Sequence, residues 1–158
     1  LQLDYWDLKD YFSDQYTGRL SALDVAQAVM AVRRRKLPDP AQLPNAGSFF
    51  KNPVLPIGQW HSLKAQYPEV AGHPADNSAK VAAAWLIDQC GWKGYRDERV
   101  GVHNRQALVL VNHSDGSGQD ILGLASRIRK DVLSRFGIEL EMEPGVVGDV
   151  FAGPDSGF

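Results

Sequence analysis

Cysteine is nearly absent from this sequence, and a long apolar run and a basic excess are missing as well. A single cysteine, Cys90, among 158 residues excludes an internal disulfide and a metal site built on several cysteines. The longest apolar run, 81–87, is far shorter than the ~20 residues of a membrane-spanning helix. The formal net charge of −2 lacks the basic surplus of nucleic-acid binders. We therefore expect a cytoplasmic protein with no nucleic-acid or membrane partner.

Metal and hydrolase sites are not indicated either. None of the four histidines stands at the helical spacing that suggests a shared metal, so we predict no metal site; they are His61, His73, His103 and His113. Ser48 lacks the Gly-x-Ser-x-Gly pattern of a hydrolase nucleophile. Cys90 stands at the apolar end of a predicted helix, where packing is its expected role.

What is present is an ordinary globular composition, 44% hydrophobic and 23% charged. Apolar periodicity predicts a helix over 22–35, capped by Ser21 with Asp24 in a capping box and stopped by two prolines. It also predicts a long helix that ends at Gly137. Helices and strands follow no regular βαβ order, so we predict an α+β fold.

The other elements are predicted from shorter patterns. We expect a possible edge strand over 1–8, a structured loop over 40–57 and a short amphipathic piece that ends at Pro68. A helix that Asn77 or Ser78 caps is predicted to run to Cys90. Strands are predicted over 107–111 and 138–143, the second with alternating apolar and glutamate residues.

The segment 45–53 places Ser48 after a glycine, in a loop bounded by prolines and by Phe49 and Phe50. Buried aromatics that anchor a polar loop commonly present a reactive side chain. On the residues alone, Ser48 is either a proton donor or a residue that merely caps a turn, and both interpretations stay open.

The segment Asn-Ala-Gly-Ser-Phe-Phe-Lys-Asn-Pro at 45–53 resembles the signature of the UDP-N-acetylenolpyruvoylglucosamine reductases (MurB). A second block, Ala-Trp-Leu-Ile-Asp-Gln-Cys-Gly-Trp-Lys-Gly at 84–94, also resembles this family. It is followed by Val-His at 102–103 and Gln-Ala-Leu-Val-Leu-Val-Asn at 106–112, and the run Phe-Gly-Ile-Glu-Leu-Glu at 136–141 is a third block. The blocks occur in the family's order, and the resemblance covers about residues 1–148.

This resemblance implies an enzyme that uses NADPH to reduce bound FAD and then reduces UDP-N-acetylglucosamine enolpyruvate to UDP-N-acetylmuramate for peptidoglycan. It gives Ser48 the role of the proton donor to the substrate carbon. A family glutamate that holds the substrate and stabilises the enolate falls on Glu143 by spacing. The family's Glu-Pro-Glu-Val is replaced here by Glu141-Met-Glu-Pro, so Glu141 is the fallback. Three solvated glutamates on one strand face are the structural alternative.

The resemblance also implies substrate contacts from four residues: Tyr5, in Tyr-x-Asp-Leu; Lys36, at the diphosphate; Asn52; and Gln106. An ammonium group suits a phosphate as a point charge. The structural alternatives are that Tyr5 is an ordinary strand aromatic and that Lys36 is the solvated end of a basic helix.

No glycine-rich dinucleotide fingerprint occurs in this sequence, and the family's active-site arginine has no counterpart. We therefore expect most of the FAD site to lie in a flavin-binding region that is largely N-terminal to this chain. We expect this chain alone to be inactive. Residues 1–37 and 138–158 are predicted to belong to that region, and residues 38–137 are predicted to form the substrate-binding domain. The alternative is a stand-alone UDP-sugar-binding module without redox activity.

Overall fold

A computed structural model describes residues 11–12 and 20–147. The predicted edge strand over 1–8 and the C-terminal tail lie outside these residues. The chain divides into two compact units, 1–42 and 43–158, and each is described by itself. The assignment of 1–37 and 138–158 to a flavin-binding region stays a prediction.

The first unit contains helix α1, Ala22–Lys36. Its start has the predicted capping box, in which the Ser21 hydroxyl accepts from the Asp24 N–H at 3.2 Å and the Asp24 carboxylate accepts from the Ser21 N–H at 2.8 Å. Its last turn is basic throughout, which complements the negative end of the helix dipole. The predicted helix and its cap are confirmed.

The second unit contains two three-stranded antiparallel sheets and three helices, α2, α3 and α4. The first sheet has the strand order β1-β6-β5 and the second has the order β2-β4-β3. In chain order the elements are β1 Asn45–Ser48, β2 Val54–Pro56, α2 Ile57–Gln66, β3 Gly72–Pro74, β4 Ser78–Val81, α3 Ala83–Gln89, β5 Val100–Val102, β6 Val109–Asn112 and α4 Gly118–Phe136. The α+β prediction is confirmed.

One apolar core joins these elements. Helix α4 contributes four buried residues at helical spacing, Leu124, Ala125, Ile128 and Val132, to this core. The helix packs against β5, β6 and α3. It begins at a Ser117 capping box and ends at Gly137, whose φ of 65° is left-handed. Within the described ranges, no helix combines the length and apolarity that a bilayer crossing requires.

Three of the local predictions are wrong. The predicted loop over 40–57 contains β1 and β2, because both strands find partners far along the chain, in β6 and β4. The helix predicted to start at Asn77 or Ser78 starts instead at Ala83, because Ser78–Val81 is the central strand of the second sheet. The predicted strand over 138–143 forms only one isolated bridge, Phe50–Met142.

The alternation predicted for that last segment is nevertheless present. Ile138 and Leu140 are buried in the core of the second unit, whereas Glu139, Glu141 and Glu143 are exposed. Extended backbone alternates its faces whether or not a continuous ladder forms beside it.

We expect Ser117→Ala to lower the free energy of unfolding by about 1 kcal/mol, because the hydroxyl is the acceptor for the Asp120 N–H at the start of α4. Urea denaturation of the 158-residue chain measures the change. Ser134→Ala, on the exposed surface of the same helix, is the matched control. Equal stabilities of the two variants would contradict the capping role.

Candidate active site

Ser48 is the last residue of β1 and stands opposite Val109 in β6. Just before it, the Asn45 side chain accepts from the Gly47 N–H at 2.9 Å, and Gly47 has a φ of 76° that disfavours larger residues. The pairing register shifts between Asn45 and Ser48. This irregular strand end leaves Ser48 half-buried. Within the described part of the chain, its hydroxyl has no hydrogen-bond partner.

Backbone pairing places the segment that carries Glu143 beside the residues that follow Ser48. The Glu143 N–H donates to the Phe49 carbonyl at 3.0 Å, and the Lys51 N–H donates to the Glu141 carbonyl at 2.9 Å. Between these bonds Phe50 faces Met142, and Phe50 is only 1% exposed. Segments about 90 residues apart in sequence therefore lie side by side, and Glu143 is hydrogen-bonded to the residue that directly follows Ser48.

The side chains distinguish the two candidate glutamates. Glu141 forms an ion pair with Lys51, and Glu139 forms one with Arg129 at 3.0 Å. Glu143 has neither a hydrogen bond nor an ion pair from its side chain to any described residue. It is thus the carboxyl group available to a ligand, which favours Glu143 over Glu141, although its catalytic role stays a prediction.

Asn52 has a structural function in addition to its predicted substrate contact. Its side-chain oxygen accepts from the Ala83 N–H at 2.9 Å, at the start of α3. The residue in the N-cap position, Ala82, has no side chain that could do this. The oxygen of Asn52 is engaged in this cap, whereas its amide NH₂ has no partner among the described residues and is available for the predicted substrate contact. The sequence signal for this function is Ala82, since an alanine in the N-cap position leaves the helix start to be capped by another residue.

Gln106 lies in the loop that joins β5 to β6, one strand away from Ser48. The Val109 N–H donates to the Gln106 carbonyl at 3.0 Å, and the Phe49 N–H donates to the Leu108 carbonyl at 2.8 Å. Gln106 is half-buried. Hydrogen bonds therefore connect the segments that carry Ser48, Glu143 and Gln106, and Asn52 follows four residues after Ser48.

Two predicted contacts are not placed in this group. Lys36 is the last residue of α1 and is exposed; it belongs to the first unit, which is described by itself. Tyr5 lies outside the described residues. Both roles stay predictions.

Two histidines directly follow strands of the first sheet: His103, which is buried, follows β5, and His113, which is half-buried, follows β6. Burial, and then the Arg105 charge, lowers the pKa of His103. Burial, and then the Arg96 charge, lowers the pKa of His113, although Asp97 opposes this. By contrast, burial raises the pKa of the Cys90 thiol more than Arg135 lowers it, so this cysteine is a poor nucleophile.

The described clefts do not match a flavin diphosphate. The larger, about 480 Å³, is lined by Glu139 and Glu141 against one cation, Lys51. The smaller, about 230 Å³, lies at the start of α4, where Ser117 already accepts from the Asp120 N–H. Hydrogen bonds from the Ser117 N–H and hydroxyl lower the pKa of Asp120, whose negative charge opposes a phosphate. Neither of these two clefts therefore fits the diphosphate of FAD.

Residues 39–147 match the family model described as UDP-N-acetylenolpyruvoylglucosamine reductase, C-terminal domain. The chain belongs to this reductase family. The match contains four predicted site residues, Ser48, Asn52, Gln106 and Glu143, and excludes Tyr5 and Lys36. An oxidoreductase family is thereby established for the part of the chain that contains Ser48 and Glu143.

Curated members of the family are similar over most of the chain. A UDP-N-acetylenolpyruvoylglucosamine reductase of Pseudomonas aeruginosa is 50% identical over 147 residues, which cover 92% of this chain and 43% of the relative. That of Pseudomonas savastanoi pv. phaseolicola is 49% identical over the same shares. That of Burkholderia mallei is 57% identical over 124 residues, 78% of this chain and 36% of the relative. The chain spans less than half the length of these relatives.

Asn52→Ala is expected to lower the free energy of unfolding by about 1 kcal/mol, because the Ala83 N–H loses its acceptor. Asn52→Asp is the matched control, since a carboxylate keeps an acceptor at the positive end of α3. Thermal or urea unfolding of the chain compares the three proteins. If Asn52→Asp is as destabilised as Asn52→Ala, the cap does not contribute to stability.

Acidification below about pH 6.5 is expected to destabilise the chain. Because His103 and His113 have lowered pKa values when folded, the unfolded chain binds more protons between the ordinary histidine pKa and the folded value. The contribution of the two histidines to the free energy of unfolding is therefore fully present above about pH 6.5. It is lost as the pH decreases through that window.

Urea denaturation at about pH 7.5 and about pH 5.5 measures this loss. The double variant His103→Asn/His113→Asn is expected to lose less stability between the two conditions. Asp97 and Asp120 also have lowered pKa values, but they titrate in the more acidic range of carboxyl groups. An equal loss in the wild type and the double variant would show that the histidines are not responsible.

Proposed function

We propose that this chain supplies the substrate-binding part of a UDP-N-acetylenolpyruvoylglucosamine reductase. The reaction is the reduction of UDP-N-acetylglucosamine enolpyruvate to UDP-N-acetylmuramate with FAD and NADPH, in the cytoplasm, for peptidoglycan synthesis and hence cell shape and division. The observation that supports it is the pairing of the Ser48 and Glu143 segments within the residues that match the family.

Reduction of the enolpyruvyl double bond adds one hydride to one carbon and one proton to the other. In this proposal the Ser48 hydroxyl supplies the proton. A serine is a weak acid in water, but an oriented donor in a site that excludes water can protonate a strongly basic carbon. The half-buried position of Ser48 and its unengaged hydroxyl suit this role, because no described group competes for the proton.

Glu143 is proposed to stabilise the enolate that forms beside Ser48. The side chain of Glu143 has no ion pair to a described residue and is available for this contact, whereas Glu141 is held by Lys51.

The remaining proposed contacts concern the nucleotide sugar. Lys36 is assigned to the diphosphate, and Tyr5, Gln106 and the amide NH₂ of Asn52 to other polar groups of the substrate. The flavin is assigned to a flavin-binding region that lies mostly outside this chain. Residues 1–37 and 138–158 are proposed to belong to that region. The 158-residue chain alone is therefore proposed to be inactive.

Ser48→Ala in the complete reductase is expected to lower substrate turnover by about 10²- to 10⁴-fold, because the substrate carbon loses its proton donor. The rate at which NADPH reduces the flavin, followed by its absorbance, is expected to stay within about twofold. Ser62→Ala, an exposed serine of α2, is the matched control.

Turnover by Ser48→Ala within about tenfold of the wild type would contradict this role. Slow flavin reduction in the same variant would point instead to a damaged fold. The two measurements together separate a lost proton donor from a lost structure.

A further inference from the structure

His103 is the one polar side chain among the described residues that is buried, with 7% exposure. It follows β5 directly and continues its pairing, since the His103 N–H donates to the Val109 carbonyl at 2.9 Å. Val109 is also the partner of Ser48 on the other side. The three residues therefore form one row across the sheet, and directly opposed side chains in such a row share a face.

The imidazole of His103 also organises the loop that carries Gln106. Its Nδ1 accepts from the Arg105 N–H at 3.4 Å, while the Val109 N–H donates to the Gln106 carbonyl at 3.0 Å. Together with the bond between His103 N–H and the Val109 carbonyl, these contacts close the loop 103–109 at both ends. A neutral ring whose Nδ1 accepts must carry its proton on Nε2.

We propose that His103 is a positioning residue, which holds the 103–109 loop through its Nδ1 and thereby keeps Gln106 at the substrate. This inference rests on the proposed function, because it takes Gln106 as a substrate contact. His103 acts through the backbone of Arg105 and does not itself touch the substrate. A protonated ring could not accept this hydrogen bond, and the burial of His103 and the nearby charge of Arg105 both favour the neutral ring.

Two substitutions separate the ring nitrogens. In His103→Asn the side-chain oxygen can take the place of Nδ1 and accept from Arg105, whereas the longer side chain of His103→Gln places its polar group near Nε2. In the complete reductase we expect His103→Gln to raise KM for the UDP-sugar about five- to tenfold, the loss of about one hydrogen bond. We expect His103→Asn to stay within about twofold of the wild type, with kcat little changed in both.

A double-mutant cycle tests whether the effect passes through Gln106. In a Gln106→Ala background, His103→Gln is expected to change KM by less than about twofold, since the contact that it positions is already gone. Equal KM values for His103→Asn and His103→Gln, or a full effect of His103→Gln in the Gln106→Ala background, would overturn the proposal. So would an unchanged KM in Gln106→Ala alone.

A measurement on the unsubstituted 158-residue chain does not depend on how a variant folds. Nitrogen NMR of the histidine rings near neutral pH is expected to show His103 with Nε2 protonated and Nδ1 unprotonated. A proton on Nδ1 would overturn the proposal. The proposed function is tested separately by Ser48→Ala, so a failure at His103 with loss of turnover at Ser48 leaves the reductase assignment in place.

Discussion

The backbone pairing of residues 49–51 with 141–143 is the constraint on which the candidate site depends. Two hydrogen bonds and the buried Phe50 hold the segments together. Phe49 is buried as well, so the strand that carries Ser48 cannot slide without exposing an aromatic ring. The C-terminal segment is equally held, because Ile138 and Leu140 lie in the same core.

The strands of the second unit are short, with only three or four residues each. Long ladders of backbone hydrogen bonds therefore do not form around this pairing. Side chains replace the missing ladder bonds. Asn52 caps α3 from a distant segment, and Lys51 forms an ion pair with Glu141. The cap is the more important of the two, because exposed ion pairs contribute at most about 1 kcal/mol. The five-residue stretch 48–52 thus presents Ser48 and also caps α3 through Asn52.

Local signals in the sequence were sufficient for α1 and for most of α4, the two longest helices. Ser21 and Asp24 specify α1 within one residue, and Gly137 specifies the end of α4, because capping and amphipathicity depend on near neighbours. The same reasoning failed at 78–81, where Ser78 resembles a cap but belongs to a strand between β2 and β3. Strand pairing depends on distant residues, which a local pattern does not contain.

The sequence by itself determined the α+β class, the two long helices, the exposed row of glutamates and, through its motifs, the family and the candidate residues. Tertiary structure decided that the segments carrying Ser48 and Glu143 lie side by side, that Glu141 is engaged by Lys51 and that Asn52 caps α3. It also decided that His103 is buried beside the Gln106 loop. The physical reason is range: propensity, capping and alternation act over a few residues, whereas these contacts join segments that meet only when the core closes.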